Sequence, residues 1–225
     1  MKKEEIYQDL KRQILILKLV PGELLDEVSL SQKYLISRTP MREIFQMLAG
    51  EGYLEIIKNK GAKVSSMNHK TLRTFFLTAP MMYAIIGRLA VENGTEEQIN
   101  RLQEIQNLFQ DSERNNDTTE MAFQNNSFHQ LLGEMSNNPY LMPSYKKLLI
   151  DHTRIGQTFF EAISQEMLTD LKQASNDHQE MIQCIIDRNP EKMVQITINH
   201  WQLSKNRMEL YVSPDPLPID SLNIT

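Results

Sequence analysis

With 225 residues, 40% of them hydrophobic and 24% charged, the chain is long enough for one large core or two smaller ones and has an ordinary globular composition. Its net charge of −5 excludes a protein that coats nucleic acid or anionic membrane with its whole surface. The charge is unevenly divided: residues 1–70 hold 12 Lys+Arg against 9 Asp+Glu, a net of +3, and the remainder carries −8, so a polyanion partner is sought at the N-terminal end.

In chain order, the first expected helix runs from about Glu4 to Leu17, with Ile6, Leu10, Ile14 and Leu17 at steps of three and four. Pro21-Gly22 turns the chain. Ser29-Leu30-Ser31-Gln32 has the spacing of a capping box and predicts a second helix from Ser29 to about Leu35 or Ile36. Thr39 as N-cap and Pro40 at the first helical position predict a third, with Met41, Ile44, Phe45 and Leu48 as its buried stripe. Gly50 and Gly52 stop it before "YLEIIKNKGAKVSS", two short apolar runs around a Lys-Asn-Lys-Gly tip, which reads as a hairpin.

Beyond Ser65–Asn68 the hairpin signals vanish and long helical periodicity takes over, dividing the chain into domains at 1–66 and 67–212. Pro80 predicts a kink or split in the first long helix. Asn93-Gly94 closes that segment, and Thr95-Glu96-Glu97-Gln98 opens the next as a capping box. Further helices are expected at 119–136, 142–162 and 166–188, then from Asn189-Pro190 to about Tyr211, with a flexible tail over 213–225. The fold class is mainly α: a winged helix-turn-helix followed by an all-helical bundle.

The single cysteine, Cys184, lies among Met181, Ile182, Ile185 and Ile186 and reads as a buried thiol in a reducing, cytoplasmic setting. The early apolar run "ILILKLV" is short and broken by Lys18, so neither export nor a membrane span is expected.

Three helices and a hairpin, with a very short turn between the second and third helices, suit DNA. Burial of the third helix's apolar stripe leaves Arg38, Arg42 and Gln46 outward, residue types that contact phosphates and base edges. Lys58, Lys60 and Lys63 surround the hairpin tip, where Gly61 permits close approach of the backbone to a groove. Against this stands the fact that arginine and lysine on helix faces are usually solvated charges.

The stretch "IYQDLKRQILILKLVPGELLDEVSLSQKYLISRTPMREIFQMLAGEGYLEIIKNKGAKV" resembles the GntR-type bacterial transcription regulators, FadR-like in its arrangement. The resemblance implies DNA contacts by Ser37, Arg38, Thr39, Pro40 and Arg42 and a minor-groove wing tip at Gly61. It also implies a homodimer on palindromic double-stranded operator DNA. Ile44 after Glu43, and Lys33-Tyr34 in the second helix, depart from the family's usual small residues and bear on packing more than readout.

Five histidines occur. Asn125 and His129 are spaced i and i+4 on one helix, and His178 and His200 belong to two later ones. Imidazoles from three helices meeting in a bundle make a competent site for a divalent transition metal, although spacing cannot show that they meet. The elements "SFHQLLGEMSNNPYL", "HQEMIQCIIDRNPEKM" and "INHW" resemble the FCD-type effector domain over about residues 70–210. The resemblance implies a metal of zinc or nickel type held by His129, His178 and His200, with Asn125 at the place of the family's acid, and a small-molecule effector bound through its carboxylate. The arginine and glutamate common in that domain's first helix fall on Ala79 and Tyr83, which leaves Tyr83 as the effector-binding candidate.

The leading expectation is an effector-controlled, homodimeric DNA-binding regulator. A metal-dependent hydrolytic enzyme would need a general base beside an open metal position, and Glu134 and Asp177 read as solvated. A regulator with a decayed effector site is the third possibility. The methionines at helical spacing read as core.

Overall fold

The computed structural model describes residues 2–58 and 60–213. It separates into two compact units, one reaching to Leu72 and taking in Val212 and Ser213, the other spanning Arg73–Tyr211.

In the first unit, α1 (Lys3–Leu15) buries Ile6, Leu10 and Ile14 against α3 (Arg38–Glu51), which contributes Met41, Ile44, Phe45 and Leu48. Each such side chain withdrawn from water contributes about 1.5–3 kcal/mol. Between them, α2 (Glu27–Tyr34) starts two residues before the expected Ser29. Asp26 is the N-cap and accepts the backbone N–H of Ser29 at 2.7 Å, so the amide that Ser29 would leave free as a cap is already taken. The hydrogen bonds from Ser29 hold the Asp26 carboxyl below its ordinary range.

Likewise α3 begins at Arg38 with Ser37 as N-cap, which moves Pro40 from the first to the third helical position. The N–H missing there is still one of the first-turn donors that have no intrahelical acceptor. Tyr34, one of the departures from the family's small residues, buries its ring and donates its hydroxyl to Asp9 at 2.6 Å.

The hairpin of β2 (Leu54–Ile57) and β3 (Gly61–Val64) forms as expected, and a third strand, β1 (Leu24–Leu25), pairs antiparallel with β3. That strand has no sequence signal, being two residues long. It explains Gly61: φ is +92°, and a Cβ there would sit 2.3 Å from the Leu25 carbonyl oxygen. Close approach by the protein's own backbone therefore requires glycine at this position.

The second unit is helical: α4 (His69–Asn93, whose first turn belongs to the other unit), α5 (Glu96–Arg114), α6 (Thr118–Met135), α7 (Met142–Phe159), α8 (Gln165–Ile186), α9 (Pro190–Lys205) and α10 (Met208–Tyr211). Pro80 does not split α4, which runs through it as one helix. The Thr95–Gln98 capping box opens α5, and Asn189 with Pro190 opens α9, both as the residues predict. The last long helix stops at Lys205, short of Tyr211; Arg207 leaves the helical path and donates its Nε to Asp170 of α8 at 3.0 Å.

Among the described residues, α4 is the one helix whose length and composition would allow it to cross a bilayer, and half of its apolar window is buried in the fold, as in the core helix of a bundle. Cys184 is buried, as expected. The tail expected to be flexible over 213–225 lies outside the described residues except for Ser213, which bridges to Met67.

Candidate nucleic-acid face and metal centre

A groove of about 500 Å³ runs along the first unit. Its walls bring together Arg38, Arg42 and Gln46 of α3 with Lys58, Lys60 and Gly61 of the hairpin. Ser37, Thr39 and Pro40 lie beside it at the start of α3, Ser37 and Thr39 exposed. Lys63 does not reach the tip; it pairs with Glu55 across the strands, Nζ 3.2 Å from the carboxylate.

Glu27 was not anticipated. Its carboxylate accepts from Arg42 at 2.9 Å and lies 3.9 Å from the Nε of Arg38, and only 13% of its side chain is exposed. It spaces the two guanidiniums while lowering the net charge of the face. No local signal marked it, because the contact joins residues 15 apart in the chain.

In the second unit the three histidines converge. His129 of α6, His178 of α8 and His200 of α9 are buried, and a ligand atom from each lies within 4.8 Å of the others. Ring centroids are 5.1–5.9 Å apart. Hydrogen bonds decide which nitrogens point inward. The amide nitrogen of Gln106 donates to the Ser175 carbonyl at 3.1 Å, so its Oε1 accepts from Nδ1 of His178, also at 3.1 Å. His178 thus keeps a lone pair on Nε2, which has no partner. Nδ1 of His200 donates to Asp177 at 3.1 Å, again leaving Nε2 as the acceptor. Both ring nitrogens of His129 are buried without a partner.

Orphaned lone pairs on a cluster of buried imidazoles, two of them oriented by an amide oxygen and a carboxylate behind them, fit a divalent metal. Burial, before the neighbouring histidines, holds His129 and His178 well below the ordinary value for histidine. They are therefore neutral, as ligands must be. Asp177 is buried against His200, not solvated as its sequence context suggests. Glu134 does lie at the surface, near Arg101.

Asn125 is buried one turn before His129 and lines a cavity of about 10 Å³ with His152 and His200, the space of a single water-sized group. Tyr83 is buried too, its ring centroid 5.3 Å from that of His129 and its hydroxyl 2.9 Å from Nδ1 of His152.

His152 is the second residue that sequence reasoning missed. Burial lowers it to about 3, and its ring packs 4.7 Å from both His129 and Trp201. Its helix is mixed in character, with Lys146, Lys147 and Gln157 besides Asp151–Arg154, so no sequence signal singled it out.

Residues 83–203 match the FCD domain, and residues 2–64 match the description "Bacterial regulatory proteins, gntR family". The HTH-type transcriptional repressor RspR of Escherichia coli is 28% identical over 171 residues, 73% of each chain. The uncharacterized HTH-type transcriptional regulator YdhC of Bacillus subtilis is 25% identical over 66% of this chain and 64% of its own. The solved structure of E. coli McbR/YncC shares the fold, with a TM-score of 0.76 at 22% identity over 93% of this chain and 96% of that one. Relatives and fold are those of transcription regulators, not of enzymes. The chain is a member of the GntR family of bacterial transcription regulators, with a helix-turn-helix N-terminal unit and an FCD domain behind it.

Proposed function

We propose that the protein binds double-stranded operator DNA as a homodimer in the cytoplasm, and that a small carboxylate effector controls it through a metal-assisted site in the FCD domain. The head is assigned to residues 1–66 and effector binding with dimerisation to 67–212. One observation carries the DNA reading: Arg38, Arg42, Gln46, Lys58, Lys60 and Gly61 share one groove. α3 enters the major groove with Arg42 and Gln46 at base edges, Ser37, Arg38, Thr39 and Pro40 at its start contact the sugar–phosphate chain, and the hairpin tip lies in the adjacent minor groove.

A two-fold axis matches the two half-sites of a palindrome. An exposed apolar stripe on α4, Leu77, Met81 and Ile85 at 64%, 63% and 48% exposure and i, i+4, i+8 spacing, supports pairing of two copies.

His129, His178 and His200 hold the ion, with Asn125 nearest to completing the set and Tyr83 beside the effector. A zinc- or nickel-type ion supplies a positive coordination position for a carboxylate. The cavity is small, so an effector larger than a few atoms enters only with rearrangement of the surrounding side chains.

Binding of labelled duplexes tests the DNA reading. Arg42→Ala costs about 1–3 kcal/mol on the operator and little on unrelated duplexes if the arginine reads a base, whereas a phosphate contact weakens all sequences alike. Unchanged operator affinity removes Arg42 from the interface.

A further inference from the structure

We propose that His152 is a positioning residue for the metal centre: it turns the Asn125 amide so that the oxygen, not the nitrogen, is offered beside His129, His178 and His200. The proposal rests on the metal reading above and assigns a role to a histidine that reading leaves unused.

The backbone carbonyl of His129 can only accept. Tyr145 donates its single proton to it at 2.9 Å and packs its ring 4.7 Å from that of Tyr83, so the Tyr145 oxygen has only acceptor capacity left for its neighbour. The hydroxyl of Tyr83 lies 2.9 Å from Nδ1 of His152, and Nδ2 of Asn125, which can only donate, faces Nε2 at 3.5 Å; with Nε2 the acceptor there, Tyr83 accepts from Nδ1. Nδ1 therefore carries the hydrogen of the neutral imidazole, and Nε2 carries a lone pair. The atom facing that lone pair is Nδ2 of Asn125, at 3.5 Å. An amide nitrogen donates, which ties this end of Asn125 to His152 and leaves Oδ1 free. Donors and acceptors are thus matched at each contact from Tyr83 through His152 to the asparagine.

A carboxylate has two equivalent oxygens and offers one to a cation whichever way it turns. An amide has one oxygen, and the reverse orientation points N–H dipoles at the ion. Asparagine one turn before His129 is therefore usable only if something fixes its orientation, and His152 does so. The resulting donor set, three imidazoles and one amide oxygen, carries no charge, so the ion keeps its full positive charge for an anionic ligand.

Zinc titration of the metal-free full-length protein against a chromophoric chelator tests this. His152→Phe keeps an aromatic ring against Trp201, and Tyr83→Phe deletes only a hydroxyl, so the second variant reads the same chain with the packing intact. Each should weaken zinc binding by about 10–100-fold, the usual consequence of losing an outer-shell partner. Combined with Asn125→Asp, the same changes should cost less than about threefold, because a carboxylate needs no orienting partner. Equal losses in both backgrounds would make His152 a direct ligand or a packing residue and overturn the proposal, as would unchanged affinity in either single variant. A wild-type protein that takes up no zinc would instead remove the metal reading itself.

Discussion

His129, His152 and His178 are buried deeply enough that all three imidazoles are held neutral, His152 down to about 3. Unfolding returns each to its ordinary value near 6.5, so below that pH the unfolded chain binds protons that the folded chain refuses. The metal-free protein should therefore lose stability as pH falls below about 6.5, by up to about 1.4 kcal/mol per pH unit for each histidine that stays neutral in the fold. Denaturant melts of the apo protein between pH 7 and 5 check this, and a flat profile would contradict the buried, neutral assignment. At this scale the sequence was partly legible. His129, His178 and His200 stood out by residue type and resemblance, because ligand chemistry restricts which residues can serve. His152, Asp177 and Gln106 were not legible, since orienting a ring needs only a hydrogen-bond partner, and many residue types at many positions provide one.

Elements were legible where a local rule fixes them and shifted where two rules compete. The Thr95–Gln98 box and the Asn189-Pro190 start stand where the residues put them, while α2 starts at the stronger acceptor Asp26 and not at Ser29. The strand β1 had no local signature because it exists only through its partner β3. Two left-handed positions give opposite expectations. Leu35 caps α2 at φ 55° with 91% of its surface exposed, a conformation that costs a residue with a Cβ about 1–2 kcal/mol. Leu35→Gly should therefore raise stability by up to about 1 kcal/mol in thermal melts. Gly61→Ala should lower it by at least about 1–3 kcal/mol, since the Leu25 carbonyl occupies the place of the added methyl. A neutral Gly61→Ala would mean that β1 does not hold this register.

For the whole molecule, the separation of charge seen in the sequence becomes a separation of tasks. The net +3 of the first 70 residues belongs to the unit with the groove, and residues 73–211, which form the bundle around the histidines, hold 12 Lys+Arg against 18 Asp+Glu, a net of −6. The acid Glu27 inside the basic face tempers this, and only the folded chain brings it to Arg38 and Arg42. A metal bound by the folded bundle alone stabilises it by mass action, about 2.7 kcal/mol at a hundredfold excess over Kd. Chelation should accordingly lower the melting temperature of metal-loaded protein, and an unaltered curve would count against the histidine site.

The central claim, a two-fold regulator reading DNA through α3 and its hairpin, is tested most directly by selecting bound duplexes from a random pool and weighing the complexes. The account predicts an inverted repeat with half-site centres about one helical turn or a multiple of it apart, occupied by two chains. Recovery of unrelated sequences, or of one chain on an asymmetric site, would contradict it.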